Sequence, residues 1–228
     1  MTVRDVLDWL SETGTPEGVA GMERFGIPND RAFGIPMGAL KTKAKAIGTD
    51  HALALALWQT GVYEARILAA EIADPSAMTD AMMDAWCADF DNWAICDHTC
   101  FVLFDKTADP WRKVGEWAPR PEEFVRRAAY ALIWALSVHD KKAADAVFDE
   151  ALLLIETAPA DDRPLVKKAV DMALRAVGKR NLALNASARR TCALLMAAPE
   201  RSRQWIGRHA LKELESDKVQ ARLQKRAG

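Results

Sequence analysis

The sequence predicts an all-α chain: an α-solenoid of the HEAT or armadillo kind, in which antiparallel helix pairs stack and leave one concave face. Two observations predict it. Alanine and leucine are abundant, β-branched residues rarely run together, and proline or glycine marks the breaks between apolar stretches. The second half also repeats itself. Val125-Arg126-Arg127-Ala128-Ala129-Tyr130-Ala131-Leu132 aligns with Val166-Lys167-Lys168-Ala169-Val170-Asp171-Met172-Ala173 at an offset of 41 residues, and each segment is followed by another apolar helix. A period near 40 with two helices per unit is that of HEAT and armadillo arrays, and it gives about five or six pairs in 228 residues. Such units cannot bury their apolar faces alone, so residues 1–228 are read as one stacked domain. The alternative is an irregular helical bundle in which the basic pairs match by chance.

The elements follow in order. Thr15-Pro16-Glu17 is an N-cap followed by proline at the first helical position, opening a helix toward Phe25. Residues 50–59, 62–73 and 78–88 read as helices, separated by Gly61 and by Asp74-Pro75. Residues 92–104 form the next, NWAICDHTCFVLF. At about 100° per residue, Trp93, Asp97, Cys100, Phe101 and Phe104 share a stripe, which sets a carboxylate one turn from an indole on a largely apolar face. Burying an unpaired carboxylate is costly, so Asp97 needs a partner, a proton or a task. A structural ion pair and a working carboxylate both fit. After Pro121, Arg127, Tyr130 and Trp134 fall on one stripe bordered by Arg126, while Phe124, Ala128, Ala131 and Ala135 form another for the core. Guanidinium beside aromatic rings suits a sugar-phosphate backbone, and paired arginines near a helix start equally suit interhelical packing.

Charge and composition bound the function. With 50% hydrophobic and 28% charged residues the chain is neither disordered nor fibrous, and no stretch approaches the roughly 18 apolar residues of a membrane span. Met1–Leu10 carries two acids where a secretory leader has a basic start, so a cytoplasmic protein is expected. The net charge of -1 hides a polarised molecule. From Arg163 onward 16 Lys and Arg face five Asp and Glu, whereas residues 1–162 hold 15 against 27. That asymmetry points to a polyanionic partner or to a solvated basic tail. Cys87, Cys96, Cys100 and Cys192 are expected as buried reduced thiols. On a helix Cys96 and Cys100 share a face from which His98 turns away, and no second Cys-x-x-Cys completes a zinc set. The chain has no Gly-rich phosphate loop, no G-x-S-x-G elbow and no His-Glu-x-x-His helix.

Taken together, Trp93-x-x-x-Asp97, the Arg127-Ala-Ala segment about 30 residues later, Arg24-Phe25 with Phe33-Gly34-Ile35, and the Lys167-Lys168-Ala169-Val170 helix resemble the AlkD-like DNA alkylation repair enzymes. These are HEAT-like-repeat DNA glycosylases, and the resemblance runs from about Gly21 to Arg190. It implies hydrolysis of the N-glycosidic bond of N3- or N7-alkylated purines in double-stranded DNA, with no metal and no cofactor, by a monomer without an obligate protein partner. It implies that Asp97 stabilises the sugar cation and orients a water, that Trp93 packs on the deoxyribose, and that Arg127 holds a backbone phosphate, the base staying out of any deep pocket. Phe25, Arg126 and Met172 would border the DNA, with Lys41, Lys43, Lys45, Lys168, Arg175, Lys179, Arg189 and Arg190 supplying charge. The chain departs from the family pattern twice. Phe25 stands where a tyrosine is expected and lacks its hydroxyl; Met172 stands for a tryptophan and lacks the indole face. A DNA-binding scaffold without excision, and a HEAT-type protein-interaction module, are the competing readings.

Overall fold

A computed structural model describes residues 1–227, which form fourteen α-helices and two short 3-10 turns, with no strand among the described residues. They gather into two compact units, Met1–Ala108 and Asp109–Gly228. No helix among the described residues is long and apolar enough to cross a membrane.

The first unit contains α1 (Val3–Thr13), α2 (Pro16–Glu23), α3 (Met37–Ile47), α4 (His51–Trp58), α5 (Tyr63–Ile72), α6 (Asp80–Ala88) and α7 (Trp93–Val102). Side-chain caps set most of the starts. Thr2, Thr15, Asp50, Thr79 and Asn92 each accept a backbone N–H of the first turn, satisfying a donor that the helix leaves open. The center of the unit is α5, which packs against α3, α4 and α7 and buries Ala65, Ile67, Leu68 and Ile72. Beside it Trp58 stacks on Trp86 at 3.9 Å between ring centroids, with Phe90 edge-on to Trp58. The helix expected to run to Phe104 ends at Val102: Leu103 leaves helical geometry, and Phe104–Lys106 is a separate 3-10 turn.

A polar strap ties this unit together. The fully buried Glu64 carboxylate, at the start of α5, accepts the backbone N–H groups of Phe33, Gly34 and Ile35 at 3.0, 2.7 and 3.3 Å. Three charge-assisted bonds from consecutive amides compensate the burial of one carboxylate. Gly34 has a φ of 75°, and an added Cβ would lie 2.3 Å from the Val19 nitrogen. A Cβ at Gly18 would lie 2.0 Å from the Gly34 carbonyl oxygen, so α2 and the strap touch backbone to backbone.

The second unit contains α8 (Pro110–Trp117), α9 (Glu123–His139), α10 (Asp145–Thr157), α11 (Pro164–Gly178), α12 (Leu182–Ala197), α13 (Arg201–Leu214) and α14 (Asp217–Ala227). The repeat read from the sequence is visible here: α9 packs on α11 and α11 on α13, while α10 packs on α12. Fourteen helices exceed the five or six expected pairs because those of the first unit are only 8–11 residues long, against 13–17 for α9 to α13.

Arginines bind one repeat of this unit to the next by donating to main-chain carbonyls. Arg163 reaches Pro121, Arg180 reaches Ser137 and Asp140, and Arg203 reaches Glu156. The α9 expectation needs correction. Tyr130 and Arg127, read with Trp134 as one stripe suited to a sugar-phosphate backbone, are 1% and 5% exposed, because α9 is covered on nearly every side from Arg127 to Ile133. Burial pushes the Tyr130 phenol up to about 12.

Candidate functional site

In the first unit the candidate residues gather where α2 ends and α7 begins. Gly26, at a φ of 64°, turns the chain after α2 and leaves the Phe25 ring 64% exposed. The Phe25 carbonyl accepts the Trp93 indole N–H at 2.8 Å, so the two aromatic residues are fixed to one another across 68 positions of sequence. Trp93 is the first residue of α7, and Asn92, almost fully buried, caps that helix by accepting the Ile95 N–H at 2.9 Å. One turn on, Asp97 is half-buried. Cys96 and Cys100 on the same helix are buried and form no disulfide. Burial pushes the Cys100 thiol well above its usual range, and Cys96, Cys87 and the Asp97 charge push the same way. His98, turned to another face, meets Glu71 at 3.1 Å and holds that carboxyl below its usual range. Among the described residues no group of three or more His, Cys, Asp or Glu side chains is arranged to hold a metal ion.

The lysines of α3 are solvent-facing. Lys41 and Lys45 are exposed, and the Lys43 ammonium lies 4.8 Å above the Trp9 ring.

In the second unit the expected cations divide into two groups. Arg127 is 5% exposed, and its guanidinium donates to the Leu165 carbonyl at the start of α11. Arg126 donates to the Arg120 carbonyl and pairs with Asp161 at 2.8 Å. Arg175 pairs with Asp171 and Glu213, Lys179 with Glu213 at 2.8 Å, and Arg189 with Glu215 at 2.5 Å. Arg190 donates to the Ser187 hydroxyl, and Lys168 is exposed. Arg126, Arg175, Lys179 and Arg189 therefore already face carboxylates. Asp171 also meets the exposed His209 ring at 2.9 Å, and that ring stacks on Trp205.

Met172 and Arg175 line a cavity of about 650 Å³ that sequence reasoning missed. Its other walls include Trp134, Lys141, Arg180, Arg222 and Arg226. The density of basic residues after Arg163 was a signal for some of these, but only folding brings Lys141 beside Arg222.

The model of a family described as DNA alkylation repair enzyme matches residues 6–214. No curated protein sequence matches the chain significantly. A solved structure is similar over 98% of this chain and 96% of its own, with a TM-score of 0.79 and 20% identity. It is described as belonging to a family related to the HEAT-like repeat DNA glycosylases, with affinity for branched DNA structures. At that identity the likeness shows the fold, which is that of the HEAT-like repeat proteins.

Proposed function

Because the chain belongs to the DNA alkylation repair enzyme family, we propose that it binds DNA and hydrolyses the N-glycosidic bond of cationic N3- or N7-alkylated purines. The observation that carries this reading is the half-buried Asp97 carboxylate one turn from Trp93, whose indole is pinned by the Phe25 carbonyl. An alkylated purine already bears a positive charge, so it leaves as a neutral base, taking the glycosidic electron pair without a general acid. Water then adds to C1′ of the sugar cation and gives up its proton to the solvent. One carboxylate suffices where ordinary glycosidases use two. Asp97 faces the oxocarbenium-like sugar and orients the water, and the π face of Trp93 lies against the deoxyribose. Phe25 is assigned the sugar-base surface, and the phosphate role assigned to Arg127 requires its buried guanidinium to leave the Leu165 carbonyl. No step requires drawing the base into a deep pocket.

A second reading, lesion or junction recognition without excision, is favoured by Met172 in place of an indole and by the fold's likeness to a protein with affinity for branched DNA structures. Single-turnover release of N7-methylguanine from a duplex separates the two. The excision reading expects base release well above the uncatalysed rate, and a loss on the order of 10²-fold or more in Asp97→Asn, the scale for removing one group aimed at developing charge. If the wild type binds the duplex but releases base no faster than buffer, the recognition reading stands in its place.

A further inference from the structure

The cavity of the second unit carries more positive charge than its surroundings compensate. It lies where α9 and α11 end, closed by the loop from Lys141 to Asp145 and by α14. Two of its guanidiniums have a structural task. Arg180 donates to the Ser137 and Asp140 carbonyls at 2.8 and 3.0 Å, and Arg226 to the Lys179 carbonyl at 3.4 Å, each offsetting the partial negative charge of a helix C-terminus. Lys141 and Arg222 have no carboxylate partner among the described residues. Of the nearby acids, which both act on Arg180, Asp145 accepts from the Asn181 amide and Asp140 from the Ala143 N–H. Lys141 shows the consequence: desolvation, then Arg180, Arg226 and Arg222, hold its ammonium below the usual range. Like charges held together at a cavity wall disfavour the empty state and favour an anion. Trp134 and Met172 add an aromatic and a thioether surface to the same lining. The volume falls within the range of about 300–1,000 Å³ usual for small-ligand sites.

We propose that this cavity holds one unpaired nucleotide of a DNA strand, its phosphate on Lys141 and Arg222 and its base or sugar against Trp134 and Met172. Cations with an aromatic platform are the combination that recognises single strands, whereas a duplex buries its bases and offers only phosphates. The assignment rests on the DNA-binding reading above and adds a substrate class to it: DNA with a strand displaced from the helix.

The test is fluorescence anisotropy with the full chain on a short duplex and on the same duplex carrying an unpaired thymidine flap, with and without a 5′-phosphate. Lys141→Ala/Arg222→Ala should weaken flap binding about tenfold and duplex binding less than about twofold, and lower the flap salt slope by about 1, since each single-strand phosphate contact contributes about 0.7. Arg208→Ala/Lys212→Ala, exposed cations of α13 outside the cavity, is the control and should leave the flap preference intact. A loss confined to the phosphorylated flap assigns the site to a strand end; a loss on both flaps assigns it to an internal phosphodiester. No loss, or an equal loss on duplex and flap, overturns the proposal while leaving DNA binding in place. Absence of any DNA binding by the wild type instead removes the reading beneath it.

Discussion

Glu64 shows how much one residue can organise without any local signature. Its carboxylate holds three consecutive amides that lie 29–31 positions away, and Gly34 and Gly18 let the strap reach α2. Glu64→Ala would leave those donors buried and unpaired, so a loss of about 3 kcal/mol in urea-derived stability is expected, and Glu64→Gln should recover part of it through its amide oxygen. A change within about 0.5 kcal/mol for the alanine variant would mean that the strap does not depend on the carboxylate. The Phe33-Gly34-Ile35 element was legible as a motif. Its anchor was not, because a glutamate on the first turn of a helix reads as an ordinary dipole-favoured acid until the fold brings the amides to it. Trp93 and Asp97 were legible as neighbours one turn apart, since that spacing is local. The indole's bond to Phe25 was not, being 68 positions long.

At the scale of elements, the helices were readable where their chemistry is local. The observed starts of α2, α4 and α7, capped by Thr15, Asp50 and Asn92, lie within one residue of the expected ones. Burial was less readable. Tyr130 falls on the arginine side of α9 by helical angle, yet neighbouring helices cover that side as well. The loop before α11 depends on Asp161, which receives Arg163 and Arg126. Chiefly the bond from Arg163, with help from its backbone N–H and from Arg126, lowers the Asp161 pKa from 3.8 to about 2. A depressed carboxyl stabilises the folded state above its unfolded value and loses that contribution as pH falls through the folded one. Thermal melts of the wild type should therefore show an Asp161-dependent drop in Tm between about pH 4 and 2, and Asp161→Asn should lack that increment. Parallel curves for the two proteins would contradict the assignment.

For the whole molecule, the charge split between the first 162 residues and the rest overstates the positive charge open to a partner. Arg175, Lys179 and Arg189 answer carboxylates of their own unit. DNA binding should accordingly show a salt slope set by the uncommitted cations, below what the eight Lys and Arg named as charge donors would give. Glu213→Gln makes this measurable. It frees Lys179, while Arg175 keeps its pair with Asp171, so affinity at low salt should rise and the slope should steepen by up to about 1. An unchanged slope would mean that Lys179 does not reach a phosphate.

The arginines that join repeat to repeat have a consequence for how the second unit comes apart. In a repeat array held only by nearest-neighbour apolar faces, end units can detach in turn. Here Arg163, Arg180 and Arg203 each root in one repeat and terminate on main-chain oxygens of the one before, so peeling away any repeat strands a guanidinium and strips carbonyls of their donors at once. Such rivets couple adjacent repeats into a larger melting unit, which keeps the surface lined by Met172 and Lys141 in register even when no ligand fills it.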